Sequence, residues 1–382
     1  MRSAIEQLPA SKIREVANAG LGRSDVLPFW FGESDEVTPE FVRAAAVASL
    51  ERGETFYAHN LGLPELREAI AGYASALHGP VGAARIAVTS SGVSALMIAM
   101  QALAGAGDEV VAVVPVWPNL TAQPAILGAD VVRLALHARA GAWRLDLDEL
   151  RRVVTPRSRV LVVNAPNNPT GWTLSHAEQR AILDHCRATG TWILADEVYE
   201  RVWFGRGNCA PSFLDIAGAD DRLVVAHSFS KSFLMTGWRL GWLVVPPGLL
   251  DAVGKLIEFN TSCAPVFVQR AGLAAVAGAG EFVPALVERL RRCRDTLLPR
   301  LAALPRVRVA TPDGGMYAFF QVEGEADSMA FAKRLVVEAG LGLAPGVAFG
   351  PEGEGWLRWC FASKDPARLV EGVRRLDAAL RL

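Results

Sequence analysis

The sequence predicts an α/β fold in which helices cover both faces of a mostly parallel β-sheet. Six short runs are nearly continuously apolar, as in strands buried on both faces, and they cover residues 85–89, 109–114, 159–164, 192–195, 223–226 and 242–245. Helix-like stretches separate several of these runs. The stretch 94–103 is apolar and Ala-rich, and the stretch 175–188 begins with the capping box Ser175-x-x-Glu178. Strands that alternate with helices in this way predict a parallel sheet.

The two flanks of this region follow a different pattern. Near the N-terminus, residues 26–31 are extended in character, and Thr38-Pro39 predicts the start of a helix over 38–50. Towards the C-terminus we expect a long amphipathic helix over 281–304, strands over 307–310 and 317–322, and helices over 328–338 and 366–380. We therefore expect a large α/β domain over residues 44–271 and a smaller, discontinuous α+β domain made of 1–43 and 272–382.

The composition excludes several classes of protein. The 382 residues are 51% hydrophobic and 21% charged, which is typical of a globular chain, and the net charge of −1 offers no basic field for nucleic acid. The five cysteines show no CxxC spacing and the six histidines are widely spaced, so we expect neither a disulfide framework nor a metal site. No apolar run approaches the roughly 18 residues of a membrane span. Because no secretory signal is visible either, we expect a cytoplasmic protein that binds neither membranes nor nucleic acid.

The most informative motif is the block 227–241, which follows one of the apolar runs. It contains Ser228, Ser230, Lys231 and Arg239. Hydroxyl groups together with an arginine suit a phosphate, and a lysine among apolar residues can lose its proton and become a nucleophile. A surface turn with ordinary polar residues is the alternative.

Three further motifs lie at the ends of predicted strands. The block 164–171, Asn-Ala-Pro-Asn-Asn-Pro-Thr-Gly, places Asn168 at the mouth of the sheet, where ligands of α/β proteins bind. Asp196 ends an apolar run three residues before Tyr199, and a buried carboxylate needs a cationic partner such as a protonated ring nitrogen. Gly92 lies between a strand and a helix, where free amides bind phosphate. The simpler alternatives are plain turns and helix caps.

In order and spacing, these motifs resemble those of the class I and II aminotransferases, which are pyridoxal-phosphate enzymes of fold type I. The similarity covers nearly the whole chain. It runs from Phe31-Gly32-Glu33-Ser34-Asp35 and Gly62-Leu63-Pro64 through Ser91-Gly92, Trp117-Pro118-Asn119 and the blocks at 164–171, 196–199 and 227–241 to Gly314-Gly315-Met316-Tyr317 and Leu357-Arg358-Trp359. The resemblance implies a seven-stranded sheet, bound pyridoxal 5'-phosphate, and a ping-pong transfer of an amino group from an L-α-amino acid to a 2-oxo acid such as 2-oxoglutarate or pyruvate.

The resemblance also implies a role for each matching residue. Lys231 is expected to form a Schiff base with the cofactor and to act as the general acid and base. Asp196 is expected to pair with the pyridine nitrogen, while Tyr199, helped by Asn168, contacts the phenolic oxygen of the ring. The remaining cofactor contacts are expected from Trp117, which stacks on the ring, and from the phosphate-binding residues Gly92, Val93, Ser228, Ser230 and Arg239.

The substrate and the oligomeric state follow from the same resemblance. Arg358 is expected to bind the substrate α-carboxylate, assisted by Asn168 and the backbone near Gly32. Tyr57 is expected to reach the phosphate bound by a neighbouring subunit, which implies a homodimer with shared active sites. Some aspartate-using relatives carry a lysine where this chain has Val93, and this difference argues against a preference for acidic substrates.

An apolar substrate wall and two other functions have to be considered as well. The aromatic residues available for a wall are Trp30, Phe31, Trp117, Phe233 and Trp359, for which packing in the core is the alternative.

A C–S β-lyase uses the same apparatus to eliminate a group from the β-carbon. A regulatory sensor of this fold would carry an N-terminal DNA-binding domain, but only about 30 residues precede the family match. We therefore expect an aminotransferase, with the β-lyase as the alternative.

Overall fold

The computed structural model describes residues 1–381 of the chain. Its strands are β1 Leu27–Pro28, β2 Ile86–Thr89, β3 Glu109–Val114, β4 Asp130–Arg139, β5 Ala142–Leu145, β6 Ser158–Asn164, β7 Trp192–Asp196, β8 Leu223–Ser228, β9 Gly241–Val244, β10 Val307–Val309, β11 Tyr317–Val322, β12 Leu341–Gly342, β13 Ala344–Pro345 and β14 Trp356–Cys360. All six apolar runs of the sequence are strands, and their ends agree with the prediction within two residues.

The helices complete the alternating pattern. They are α1 Ser3–Glu6, α2 Lys12–Ala19, α3 Glu40–Glu51, α4 Pro64–His78, α5 Gly92–Leu103, α6 Asn119–Leu127, α7 Leu147–Val153, α8 His176–Thr189, α9 Leu250–Asn260, α10 Val266–Ala277, α11 Ala279–Ala302, α12 Ser328–Ala339 and α13 Ala367–Leu380. The expected capping box at Ser175 and Glu178 opens α8. Between residues 1 and 381, no single helix is both long and apolar enough to span a bilayer, and α10 and α11 pass that test only as a pair bent by 79°.

Eight strands form the central sheet, in the order β2-β9-β8-β7-β6-β3-β4-β5. The five strands β8, β7, β6, β3 and β4 run parallel to one another, whereas β9 is antiparallel to both of its neighbours and β5 folds back on β4 as a hairpin. The mostly parallel sheet is therefore confirmed. It has one strand more than the seven expected, because β5 adds a short edge strand beside β4.

An apolar core lies on each face of this sheet, which explains why the strands are apolar at nearly every position. Along β3, Val111 and Val113 belong to the core that includes residues of α4, α8 and α10. Val110 and Ala112 belong to the core that includes residues of α5, α6 and α9. Because side chains alternate along a strand, a strand covered on both faces needs apolar residues at both sets of positions.

The carboxyl ends of three central strands meet at one edge of the sheet. Asn164 at the end of β6 lies opposite Asp196 at the end of β7, which lies opposite Ala226 of β8. On the other side of β8, Ser228 lies opposite Gly241, which in turn faces the last residue of β2. Helix α5 starts three residues after β2, so the N-terminus of that helix and the polar ends of the strands share this edge.

A second, smaller unit of structure lies beside the large sheet. Strands β10-β11-β14-β13 form an antiparallel sheet, and β1 pairs in parallel with β12. This sheet shares a separate core with α11, α12 and α13. The elements expected in the flanks are all present. The expected domain boundaries, after residues 43 and 271, lie inside α3 and α10, and the division of the chain at those positions stays a prediction.

Candidate active site

A cleft of about 1540 Å³ opens at the carboxyl edge of the large sheet and is closed on one side by residues of the small sheet. It brings together twelve of the residues expected at the site, namely Gly32, Gly92, Val93, Trp117, Asn168, Asp196, Tyr199, Ser228, Ser230, Lys231, Arg239 and Arg358. Residues up to 326 positions apart in the sequence thus line one cavity. Of the aromatic residues considered for an apolar wall, Phe31 and Trp117 line the cleft, whereas Trp30, Phe233 and Trp359 are buried in the cores.

Lys231 extends into this cleft from the loop that follows β8. Phe229 and Met235, on either side of it, are fully buried and fix the loop to the core. The Lys231 Nζ donates a hydrogen bond to the carbonyl of Gly32 at 2.7 Å. Loss of hydration, reinforced by the positive charge of Arg358, lowers the pKa of Lys231 to about 8. The amine is therefore easier to deprotonate than an ordinary surface lysine.

Asp196, the last residue of β7, carries a buried carboxyl group. Its side chain is 2% exposed, and its hydrogen bond in the protein comes from the amide of Val198 at 3.4 Å. Burial raises the pKa of Asp196 to about 7, although the amide of Val198 and the charge of Lys231 oppose the shift. Within residues 1–381 no basic side chain forms an ion pair with this carboxyl group. The site thus has room for a cationic partner at this point.

Two phenols meet beside Asp196. The hydroxyl of Tyr199 lies 2.6 Å from the hydroxyl of Tyr317, the first residue of β11. Burial raises the pKa of both groups well above the usual value for tyrosine. Sequence reasoning assigned Tyr317 no role, although the motif at 314–317 that contains it is part of the family resemblance.

Asn164 and Asn168 connect the end of β6 to Asp196 and to Arg358. The side chain of Asn164 accepts a hydrogen bond from the amide of Asn168 at 2.7 Å and donates one to the carbonyl of Asp196 at 3.0 Å. The Oδ1 of Asn168 accepts from Arg358 Nη1 at 2.9 Å. Sequence reasoning did not single out Asn164 for a role, but a polar residue that ends a buried strand is the signal that would have found it.

Arg358 on β14 is a buried cation. Its side chain is 2% exposed, and it donates to the Oδ1 of Asn168 and to the carbonyl of Trp30, while its Nε has no partner. The guanidinium carbon lies 4.5 Å from the ring centre of Tyr317 and 4.8 Å from that of Phe349. No carboxylate in the described chain pairs with it. Because a buried cation without an anion is costly, this arrangement favours binding of an anionic group.

The first turn of α5 forms the opposite wall. Ser91 caps the helix by accepting a hydrogen bond from the amide of Ser94 at 3.0 Å. A Cβ atom at Gly92 would lie 2.9 Å from the Cβ of Ser228, and one at Gly241 would lie 2.6 Å from the amide nitrogen of Gly92. Glycine at both positions therefore allows the helix N-terminus to lie directly against the strands. Free amides at such a terminus, with hydroxyl groups nearby, are suited to an anion.

A buried ionic network lies outside the cleft, beneath the turn that follows β7. His78, the last residue of α4, contacts Glu200 at 2.8 Å and Asp215 at 2.9 Å. Burial opposes protonation of His78, but hydrogen bonds to the two carboxylates raise its pKa to about 11. Glu197, Glu200 and His227 place possible ligand atoms within 4.8 Å of one another, a spacing that fits a metal ion. The protonated His78 already compensates the charge of Glu200.

Tyr57 is the one expected site residue that lies outside the cleft of its own chain. Its side chain is 89% exposed, and that of the adjacent Phe56 is 83% exposed. A contact of Tyr57 with a cofactor would therefore have to be made in another subunit.

The comparisons with known proteins agree with this architecture. The family model for aminotransferase class I and II matches residues 25–376. The chain is 32% identical to an aspartate aminotransferase of Pyrococcus horikoshii, over 97% of this chain and 94% of that protein, and 33% identical to an arginine–pyruvate transaminase of Pseudomonas aeruginosa, over 87% and 85%. The solved structure of an aspartate aminotransferase from Thermotoga maritima superposes with a TM-score of 0.93 at 30% identity and covers 100% of both chains. The chain belongs to the class I and II aminotransferases, which are pyridoxal-phosphate-dependent transaminases.

Proposed function

We propose that the cleft binds pyridoxal phosphate with Lys231 as its covalent attachment point. The observation that supports this is the match of three polar groups that line the cleft to the three ends of the cofactor. Buried Asp196 forms no ion pair with any of residues 1–381 and would hold the protonated pyridine nitrogen. The N-terminus of α5, with nearby serine hydroxyls and Arg239, would hold the phosphate. The readily deprotonated amine of Lys231 would meet the aldehyde. When bound, the cofactor supplies an electron sink for the charge that develops at the substrate Cα.

The role of Lys231 in proton transfer follows from its surroundings. With a pKa of about 8, roughly one tenth of the Lys231 amine is unprotonated at pH 7, and this fraction is able to accept the proton of the substrate Cα. The carbonyl of Gly32, at 2.7 Å, holds the amine at one place in the cleft.

We propose that Arg358 binds the α-carboxylate of the amino acid. Two of the five N–H groups of the guanidinium are used for Asn168 and the carbonyl of Trp30. The others, including the unpartnered Nε, are left for a carboxylate. The rings of Tyr317 and Phe349 prevent the planar group from rotating away. The substrate would thus be held in one orientation, with its Cα facing Lys231.

We infer that the amino donor is an L-α-amino acid and that 2-oxoglutarate or pyruvate is the acceptor. The names of the relatives, an aspartate aminotransferase and an arginine–pyruvate transaminase, support a 2-oxo acid as acceptor and leave donors of opposite charge open. Val93 offers no cation to a distal carboxylate, and Phe31 and Trp117 add apolar and aromatic surface. These features favour a donor with an uncharged or aromatic side chain.

A half-reaction separates the transaminase from the β-lyase. With an amino acid alone, the visible absorbance of the bound cofactor is expected to be lost once, without release of ammonia, and to return when a 2-oxo acid is added, as ping-pong kinetics require. The measurement is absorbance together with an ammonia assay, and alanine and β-chloroalanine serve as a matched pair of donors. Sustained formation of pyruvate and ammonia from β-chloroalanine as the main activity, with no recovery of absorbance on adding a 2-oxo acid, would identify a lyase instead.

We propose further that two chains form a homodimer in which Tyr57 completes the phosphate site of the partner. The side chain of Tyr57 is exposed in the single chain, as are the apolar side chains of the adjacent Phe56 and of Phe259, which is 84% exposed, and such side chains are suited to a contact between subunits. The cytoplasmic location expected from the sequence likewise stays a prediction.

Hybrid dimers test the shared site. Tyr57→Ala is expected to weaken cofactor retention, and a hybrid of one Tyr57→Ala chain with one Lys231→Ala chain is expected to regain one site with wild-type retention and activity. This happens only if Tyr57 acts across the interface, because the site that keeps Lys231 then receives an intact Tyr57. The measurement is cofactor release by dialysis together with the sedimentation of tagged hybrids. A fully active monomer, or a hybrid without a restored site, would contradict the proposal.

A further inference from the structure

Tyr317 occupies a central position in the cleft for which neither the sequence nor the family match supplied a function. It is the first residue of β11, its side chain is fully buried, and it lines the cleft. Its hydroxyl lies 2.6 Å from that of Tyr199, and the guanidinium of Arg358 lies over its ring at 4.5 Å. A single side chain thus touches both the proposed contact to the cofactor ring and the proposed contact to the substrate carboxylate.

Gly32 makes this position of Tyr317 possible. A Cβ atom at residue 32 would overlap the hydroxyl oxygen of Tyr317. The carbonyl of the same glycine accepts the hydrogen bond from Lys231 at 2.7 Å. The Tyr317 hydroxyl is therefore packed against the backbone that positions the lysine, and it has little freedom to turn away from Tyr199.

The two hydroxyl groups together carry two protons but make one hydrogen bond with each other. Each phenol has one O–H donor, so whichever of them donates within the pair leaves the O–H of the other free. Within the described chain, neither hydroxyl makes any other hydrogen bond. The stacked Arg358 cation makes the Tyr317 O–H more acidic and favours it as the donor, although burial raises the pKa of Tyr317 overall.

We propose that Tyr317 is a positioning residue whose O–H donates a hydrogen bond to the oxygen of Tyr199, so that the O–H of Tyr199 is left to donate to the ring oxygen of the bound cofactor. The proposal rests on the assignment of Tyr199 to that oxygen in the proposed function. Hydrogen bonds in such a chain polarise one another, so donation from Tyr317 strengthens donation by Tyr199. Tyr317 thereby acts on the electronic state of the cofactor without touching it.

Tyr317→Phe tests the proposal, because it removes the hydroxyl and keeps the ring beneath Arg358. The readout is the pH midpoint of the cofactor's visible absorbance band in the absence of substrate. We expect Tyr317→Phe to move this midpoint in the same direction as Tyr199→Phe and by a smaller amount. The double variant is expected to shift no further than Tyr199→Phe alone, because Tyr317 acts through Tyr199. Loss of one neutral hydrogen bond is expected to lower kcat/KM roughly two- to ten-fold.

Tyr73→Phe is the matched control, since its hydroxyl accepts a hydrogen bond from Arg201 at 2.9 Å and does not line the cleft. The midpoint is expected to stay unchanged in this variant. An unchanged midpoint in Tyr317→Phe, an unchanged midpoint in Tyr199→Phe, or shifts that add fully in the double variant would each overturn the proposal. A wild-type protein that shows no cofactor band at all would overturn the proposed function instead, so the two failures are distinguishable.

Discussion

Lys231→Ala is expected to lower transaminase activity by at least about three orders of magnitude, because it removes the residue proposed both as the nucleophile and as the group that moves the Cα proton. The cofactor is still expected to bind through Asp196 and the N-terminus of α5, but without a covalent bond. The chain has five lysines, so reduction with borohydride followed by peptide mapping should find the cofactor on residue 231. Capture of the cofactor by the ligand-free protein is expected to become faster as the pH rises through about 8, where Lys231 loses its proton.

Lys255→Ala is the matched control for this experiment. Lys255 lies on α9, is exposed, and pairs with Asp251 at 2.6 Å. It does not line the cleft. Activity and the labelled peptide are expected to stay as in the wild type. Label on another lysine in the wild-type protein, or substantial turnover by Lys231→Ala, would contradict the assignment.

Arg358→Lys is expected to raise the KM for the amino donor and to lower kcat/KM roughly 100-fold or more, since at least two charge-assisted hydrogen bonds are lost. Lysine keeps the positive charge but cannot reproduce the planar fork between Asn168 and the carbonyl of Trp30. The affinity for the cofactor is expected to change little. Steady-state kinetics and cofactor titration measure the two effects, and thermal unfolding shows whether the variant is folded.

Arg239→Lys provides the opposite comparison, because Arg239 lies beside the proposed phosphate site. In that variant the cofactor affinity is expected to fall first, with the KM for the donor measured at saturating cofactor nearly unchanged. If Arg358→Lys weakened cofactor and donor equally, Arg358 would not be the carboxylate site.

The strands of the central sheet could be predicted from the sequence to the extent that both of their faces are covered. Glu109–Val114 is apolar at every position after Glu109, and both of its ends were predicted correctly. β7 and β8 are longer than predicted. They end in the polar residues Asp196 and Ser228, which line the cleft, and the apolar runs used for the prediction stop before these residues. Strand β4, next to the edge strand β5, was missed because Arg133 and His137 interrupt its apolar residues, so it lacks a continuous apolar run.

The candidate site was predictable as a list of residues but not as a set of contacts. Motif order identified Lys231 and Arg358, and both lie in the cleft. The contact between Tyr199 and Tyr317, which joins residues 118 positions apart, depends on how the two sheets pack and leaves no local pattern. The same holds for Arg358, whose missing carboxylate partner becomes visible only when all its neighbours are known.

The turn after β7 serves two purposes at once. It presents Asp196 and Tyr199 to the cleft, while Glu197 and Glu200 of the same five residues belong to the buried network around His78. Substitutions in this segment are therefore restricted both by the needs of the cleft and by the needs of the buried network. A substitution in the network would tilt the catalytic side chains and be recorded as an enzymatic defect, so variant screens of this protein need a stability measurement beside every activity measurement.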